Sequence, residues 1–319
     1  MDNSVYAMAV YDGRLVAGGN FSHADRTRAR GVADWVQSSW SALGRGMSCE
    51  DCDLWVTSLV VYDGKLIAGG DFTHADAEPA ANIAAWNGRS WSPVGGGTDE
   101  RVLALAVHDG NLVAGGLFTT AGGDSAAYVA RWDGSAWAPM GGGTNGRVLA
   151  FVVHDGKLIA GGRFERAGNV EAANVASWDG TSWNALGSGF DAAVTCFAVY
   201  EGSLIAGGLM KRSGATVVNG IARWNGSAWV PLGSGVSNEV RSLALYNGDL
   251  VAGGLFTIAG GRPANNIARW NGSSWGTFGS GVSGRVLALL DFGNSLDVGG
   301  EFVIAGEACE CEHIARWDE

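Results

Sequence analysis

Two short stretches of the sequence place a histidine two residues before an aspartate. They read His23-Ala24-Asp25 and His74-Ala75-Asp76. Imidazole and carboxylate groups bind divalent transition metals, and they also exchange protons in general acid–base catalysis. Both stretches occupy the same place in a repeated unit, so duplication of one loop explains their likeness equally well. The four side chains are candidates for a binding site, with repeat duplication as the alternative.

Four of the five cysteines form two close pairs. Cys49 and Cys52 have the spacing C-x-x-C, and Cys309 and Cys311 have the spacing C-x-C. Three interpretations remain open: two local disulfides, links between the loops or a structural four-thiolate zinc site, and free thiols. The usual zinc pattern has two C-x₂-C pairs, so the spacing alone does not decide. We expect a structural role for these cysteines and no cofactor, with structural zinc at the four loop cysteines as the alternative.

Three arginines recur at one place, directly before an apolar run. They are Arg101, Arg147 and Arg285, and Trp55 holds the same place in another copy of the unit. Guanidinium groups gathered at one place bind carboxylate or sulfate through paired hydrogen bonds. Solvation, or pairing with a glutamate, is the alternative. These four residues are the sequence's candidates for contact with a ligand or partner.

Motifs of known enzyme classes are missing or out of context. Two strings fit the dinucleotide pattern G-x-G-x-x-G, at Gly141/Gly143/Gly146 and Gly279/Gly281/Gly284. That pattern needs a following helix whose N-terminus binds the pyrophosphate, and here each string leads into a strand. No nucleophile elbow, H-E-x-x-H motif or Walker loop occurs. We therefore expect a protein that is not an enzyme.

The composition limits the kind of structure that can position these residues. Of 319 residues, 52 are glycine, 14 are tryptophan and only 5 are proline, while 47% are hydrophobic. That apolar content excludes a disordered chain, and no apolar run approaches the roughly 20 residues of a membrane helix. The net charge of −11 argues against nucleic acid as a partner.

A single unit repeats seven times along the chain. Its Gly-Gly pair begins at Gly18, Gly69, Gly115, Gly161, Gly207, Gly253 and Gly299. The repeats span approximately residues 1–46, 47–97, 98–143, 144–189, 190–235, 236–281 and 282–319. Each contains two strands joined by a tight Asp-Gly-type turn, a middle loop of about ten residues, a strand ending in Trp, and a strand opening with Trp. Small residues lie within each first strand, as in strands that converge on an axis.

Such repeats predict an all-β fold in one domain, residues 1–319. Seven four-stranded antiparallel units of this length indicate a seven-bladed β-propeller, with the blades packed through the repeated tryptophans. The seventh unit stops after its third strand, so the last blade lacks its fourth strand. An unpaired strand edge is a template for another strand, and we expect self-association there.

The order of the motifs resembles a known family. The run "apolar strand, LIAGG, ARWDG, W" in every unit is similar to the kelch and galactose-oxidase-type propeller repeat. The fuller unit looks more like propeller repeats of secreted or surface bacterial proteins and of fungal cortical polarity-marker proteins. The resemblance implies a propeller that is mostly used as a binding module, with the face built from the middle and inter-blade loops as the binding surface. Nothing in the sequence matches the copper site of galactose oxidase.

The leading hypothesis is a non-catalytic binding module for a protein or glycan, without membrane insertion. One alternative is a lectin with sugars stacked on exposed tryptophans between blades; another is a hydrolase or lyase at the channel mouth. With only three lysines and two cysteine pairs, the chain fits an extracellular or cell-surface protein. Residues Met1-Asp2-Asn3-Ser4 do not resemble a signal peptide, so we expect any leader to be missing from this sequence.

Overall fold

In a computed structural model, the chain consists of strands and turns. The structure describes residues 1–50, 52–306 and 309–318, and of residues 309 and 310 the backbone only. Within these residues there is no helix, and so no helix that could cross a membrane. The chain divides into two compact units, Met1–Val148 and Leu149–Glu319. Their boundary falls in the first strand of the fourth repeat, while the assignment of the chain to one domain stays a prediction.

The first and second strands of each repeat form an antiparallel hairpin. First strands span Val5–Tyr11, Trp55–Tyr62, Val102–His108, Val148–His154, Val194–Tyr200, Glu239–Tyr246 and Val286–Phe292. Second strands span Arg14–Gly19, Lys65–Asp71, Asn111–Gly116, Lys157–Gly162, Ser203–Gly208, Asp249–Leu255 and Ser295–Gly300. The turn Asp63-Gly64 has φ values of 50° and 69°, the left-handed geometry of a type I′ turn. This confirms that the Asp-Gly dipeptides mark hairpin turns.

The third and fourth strands complete each sheet. Third strands span Val32–Val36, Ile83–Trp86, Val129–Trp132, Val175–Trp178, Ile221–Trp224, Ile267–Trp270 and Ile314–Asp318. Fourth strands span Ser39–Ala42, Trp91–Pro93, Trp137–Pro139, Trp183–Ala185, Trp229–Pro231 and Trp275–Thr277. The first six repeats form four-stranded antiparallel sheets in chain order, whereas the sheet of the seventh repeat has three described strands.

The middle loops contain small hairpins that the sequence pattern did not predict. Their strand pairs are His23–Ala24 with Thr27–Arg28, His74–Ala75 with Glu78–Pro79, Thr120–Ala121 with Asp124–Ser125, Arg166–Ala167 with Val170–Glu171, Arg212–Ser213 with Thr216–Val217, Ile258–Ala259 with Arg262–Pro263, and Ile304–Ala305 with Cys309–Glu310. The strand Met47–Ser48 joins the second of these hairpins from the segment before it. Strands of two residues are too short for an alternating pattern to appear in the sequence.

The Gly-Gly pairs allow neighbouring sheets to pack closely. A Cβ atom on Gly69 would lie 2.6 Å from Val102 Cγ1, and one on Gly18 would lie 2.7 Å from Val56 Cγ1. Real Cβ atoms do not approach that closely, so glycine is needed wherever the first strand of the next repeat crosses the pair. Ser58 Oγ accepts a hydrogen bond of 3.0 Å from Leu105 N of the next first strand.

The repeated tryptophans pack between sheets, as predicted. Within the second sheet, the Trp86 and Trp91 rings lie 5.5 Å apart. Trp91 Nε1 donates to Leu43 O of the preceding repeat at 2.9 Å, and Trp275 Nε1 donates to Leu232 O in the same way. The indole N–H therefore satisfies a buried carbonyl while the ring fills the space between sheets.

Candidate functional site

A backbone irregularity presents one side chain near the start of each first strand. In the first repeat Val5 pairs with Gly19 and Ala7 pairs with Gly18, so Tyr6 lies in a β-bulge. The same register shift occurs between Val56 and Ser58 in the second repeat. Bulges turn a side chain out of the regular alternation, and they are common beside functional sites.

Tyr6 and Trp55 stack at the start of the first two repeats. Their ring centroids are 5.2 Å apart and their planes differ by 7°. The Arg101 guanidinium carbon lies 5.4 Å from the centroid of the Trp55 ring. The sequence predicted Trp55 and Arg101 as candidates, and the structure brings them together in a cation–π contact.

Asp71 fixes the orientation of Arg101. Its Oδ2 lies 2.6 Å from Arg101 Nε, and Asp71 pairs with Trp55 across the first two strands of the second repeat. A carboxylate in contact with a guanidinium is a charge-assisted pair, so the arginine is held at both its Nε edge and its flat face. We call Tyr6, Trp55, Asp71 and Arg101 the stacked cluster.

The first cysteine pair lies beside this cluster. Cys49 and Cys52 are joined by a disulfide with Cα atoms 5.5 Å apart, and Cys52 Sγ lies 3.6 Å from Asp71 Oδ1. Of the alternatives left open by the sequence, the structure has the local disulfide here. A disulfide sulfur is not a thiolate ligand, so in this form the pair does not supply a zinc site.

The second cysteine pair is described only in part. Cys311 is disulfide-bonded, and the side chain of Cys309 lies outside the described residues. The fifth cysteine, Cys196, is a free thiol, and burial raises its pKa to about 12. A thiol with that pKa is inert at neutral pH.

The two histidine–aspartate stretches do not form a common cluster. His23 Nδ1 contacts Asp2 Oδ2 at 3.2 Å, while Asp25 is an exposed turn residue with φ of 51°. Asp76 accepts hydrogen bonds from Arg45 N at 2.6 Å and Trp91 N at 2.9 Å. His74 Nδ1 contacts Thr73 Oγ1 at 3.0 Å.

The structure therefore does not bring His23, Asp25, His74 and Asp76 together as the metal-binding or acid–base cluster that the sequence suggested. Asp76 holds the backbone of two loops, and His23 has an aspartate partner from the N-terminal segment. Among the described residues, no group of three or more histidine, cysteine or acidic side chains is placed to hold a metal ion.

The other two candidate arginines have separate surroundings. Arg285 Nη1 lies 3.4 Å from Glu301 Oε2, and among the described residues its buried Nε has no hydrogen-bond partner. Arg147 is exposed and forms no ion pair within the part of the chain that the structure describes. Arg147 belongs to the first compact unit and Arg285 to the second, so their gathering around one channel mouth stays a prediction.

A cleft of about 640 Å³ lies between the middle loop of the second repeat and the segment that enters the third. Its lining comprises Asp71, Phe72, Thr73, Pro79, Ala80, Ala81, Asn82, Pro93, Gly96, Thr98, Asp99 and Glu100. Ligand clefts in proteins commonly have volumes of about 300–1,000 Å³. The stacked cluster and this cleft share Asp71, and together they are the candidate site.

Asp99 holds one wall of the cleft in place. Its carboxylate accepts hydrogen bonds of 2.8 Å from Thr119 N, Thr119 Oγ1 and Thr120 N. Partial burial raises the pKa of Asp99, but these hydrogen bonds outweigh it and hold the pKa below its usual value. The carboxylate therefore stays ionised at neutral pH.

Of the residues in this site, the sequence predicted only Trp55 and Arg101; among those that it missed are Tyr6, Asp71, Asp99 and Glu100. The signal was a departure from the repeat. Asp71 follows a Gly-Gly pair where the other repeats have Asn20, Leu117, Arg163, Leu209, Leu255 and Glu301. Tyr6 is the aromatic residue at a bulge position where the others have Thr57, Leu103, Leu149, Thr195, Arg241 and Leu287.

Comparison with known proteins identifies the type of fold. No protein-family profile matches the chain, and no curated protein matches it in sequence. The structure is similar to that of the computationally designed protein Ika8, with a TM-score of 0.59 and 15% identity over 100% of this chain and 97% of that one. It is also similar to the WD40 β-propeller domain of Doa1, with a TM-score of 0.59 and 15% identity over 94% of this chain and 90% of that one. These likenesses and the repeated antiparallel sheets show that the chain has a β-propeller fold.

Proposed function

We propose that the chain is a non-catalytic module that binds a protein partner through the side built from its middle hairpins and inter-repeat segments. Propellers commonly serve as rigid scaffolds for interaction, and their loops carry the specificity. The observation that carries the proposal is the candidate site, where residues that break the repeat gather around a preformed cleft.

The burial of the tryptophans favours this function over a lectin. A lectin of repeated sites needs solvent-facing rings, whereas all 14 tryptophans are buried or half-buried. Trp55, which lies outside the repeated positions, already stacks on Tyr6 and Arg101. The acidic residue of the stacked cluster, Asp71, is paired with Arg101 rather than with a second acid, which disfavours the hydrolase or lyase alternative.

The finer architecture is part of the same proposal. We take the seven repeats to be seven blades, with a repeat of the kelch type as the sequence pattern indicates. An extracellular or surface location is supported by the Cys49–Cys52 disulfide, because such bonds persist mainly in oxidising compartments.

Site-specific photo-crosslinking tests the function. The photoreactive residue benzoylphenylalanine would replace Ala81, Thr73 or Glu100 at the cleft, and Asp109 or Asn225 at the hairpin turns as matched controls. In extracts of the source cells, we expect one defined protein adduct at the cleft positions and none at the turns. The purified partner must then bind the unmodified chain. Equal adducts at both sets of positions, or saturable binding on a glycan array without any protein partner, would contradict the proposal.

A further inference from the structure

The cleft of the candidate site is rigid before any ligand enters. Asn82 Nδ2 donates to Thr98 O at 2.9 Å, and Thr98 N donates to Ala81 O at 3.1 Å. Thr98 Oγ1 donates to Glu100 O at 2.8 Å. These bonds tie the middle loop of the second repeat to the segment that enters the third. A preformed cleft binds with little cost in chain ordering.

The lining of the cleft combines apolar residues with acidic ones. Phe72 and Ala80 are buried beneath it, and Pro79, Pro93 and Ala81 are exposed along it. Its lining holds three carboxylates, Asp71, Asp99 and Glu100, and no lysine, arginine or histidine. Arg101 offsets the charge of Asp71, which leaves a formal charge of −2.

A second cleft in the other compact unit shows that this charge does not come from the shared framework. It has a volume of about 250 Å³ and lies between the fifth and sixth repeats. Its lining, Lys211, Asn219, Ser234, Gly235, Val236, Ser237, Ile258 and Gly261, contains one lysine and no carboxylate. Two clefts built from equivalent loops therefore carry opposite charges, so the acidic lining is particular to the first.

Resting on the proposed function, we infer that the cleft between the second and third repeats binds an arginine or lysine side chain carried by an extended segment of the partner protein. The aliphatic stem of such a side chain packs on Pro79, Pro93 and Ala81, and its charged end reaches Asp99 and Glu100. The net charge of −11 on the chain attracts a basic partner from a distance.

The alternatives fit the cleft less well. A divalent metal needs several ligands converging on one point, and the acidic residues of the cleft are not so placed. A partner segment rich in acidic residues would be repelled by the three carboxylates of the lining.

Titration with short peptides, followed by NMR of the ¹⁵N-labelled full chain, tests the inference. The probe is Ac-Ala-Pro-Arg-Pro-Ala-NH₂, and its control replaces arginine with citrulline, which has nearly the same shape but no charge. We expect the arginine peptide to shift the amide signals of Thr73 and of residues 98–101, and the citrulline peptide to bind at least fivefold more weakly. Shifts confined to other surfaces, or equal binding of both peptides, would overturn the inference.

Three variants separate the cleft from the rest of the surface. Glu100→Gln should weaken binding of the arginine peptide about threefold, and Glu100→Arg about tenfold or more. Lys211→Gln, in the second cleft, should change it less than twofold. Circular dichroism checks that each variant is folded. An unchanged affinity in Glu100→Arg, once folded, would sink the assignment.

The same variant distinguishes failure of this inference from failure of the proposed function. A protein partner found by crosslinking that still binds Glu100→Arg with full affinity would leave the interaction module standing and remove this cleft from it. Loss of both the peptide and the partner is the result expected from the inference.

Discussion

At the scale of residues, equivalent acidic side chains in neighbouring repeats have different roles. Asp76 and Asp25 occupy the same position in neighbouring repeats. Asp76 accepts two backbone N–H groups from other segments, whereas Asp25 makes no hydrogen bond among the described residues. The aspartate of the His-Ala-Asp motif therefore has a structural role in the second repeat and no such role in the first.

Replacing Asp76 should therefore cost stability, and replacing Asp25 should not. Asp76→Ala leaves the Arg45 and Trp91 amides without their acceptor, which costs about 1–3 kcal/mol of unfolding free energy. Asp25→Ala, the matched control, should stay within about 0.5 kcal/mol. Urea unfolding followed by tryptophan fluorescence measures both. Equal effects of the two substitutions would refute the distinction.

Acid should weaken the N-terminal contact through Asp2. Partial burial alone would raise the pKa of Asp2, but hydrogen bonds from His23 and Ser22 outweigh it and lower the pKa from its ordinary value to about 2. Since the folded pKa lies below the unfolded value near 4, this stability is present above that value and is lost as the pH falls from about 4 to 2. Because the carboxylate is partly exposed, solvent screening limits the effect to about 1 kcal/mol.

Comparing urea midpoints at pH 6 and pH 3 for the wild type and Asp2→Asn provides the measurement. The wild type should lose more stability than the variant over this interval. A larger loss in the variant would contradict the role of Asp2.

At the scale of elements, each sheet depends on the close approach of the next first strand. Gly69→Ala places a methyl group against the branched side chain of Val102, whose Cγ1 would be 2.6 Å away. Overpacking of this kind costs about 1–3 kcal/mol. Gly276→Ala is the control, because its Cβ would have no neighbour closer than 3.7 Å in another strand of the fold. Thermal unfolding should show a lower midpoint for the first variant only, and a matching fall in both would argue against steric contact as the cause.

The sequence predicted these elements because they repeat. Seven copies of a Gly-Gly pair and a spaced Trp pair indicate strands, turns and inter-sheet packing, all of which the structure has. The candidate site could not be predicted in the same way. Arg101 meets Asp71 and Trp55 of the preceding repeat, and Trp55 in turn stacks on a bulge residue, Tyr6, from the repeat before it. Such contacts depend on how three repeats pack, and no spacing within one repeat reports them.

At the scale of the whole molecule, the seventh repeat differs from the other six. Its third strand, Ile314–Asp318, pairs only with Ser295–Gly300 among the described strands. Ile314 is half-buried, whereas its counterparts Val32, Ile83, Val129, Val175, Ile221 and Ile267 are 0% exposed. The buried Asp297 is held by two hydrogen bonds of 2.9 Å from Arg316, which keeps this strand in register.

Self-association through that strand stays a prediction, and sedimentation over a range of concentrations tests it. The outer edge of a sheet offers backbone groups to another strand, and the accessible Ile314 favours such pairing. Ile314→Lys places a charge at the edge and should move the chain toward monomer, while Ile258→Lys, at an isoleucine that is 44% exposed in the sixth middle hairpin, should not. Two copies of the strand paired at its centre would bring Arg316 opposite Arg316, but each guanidinium is already paired with Asp297, so we expect the association to depend only weakly on salt. A monomer at every concentration and salt level would show that this edge does not join two copies of the chain.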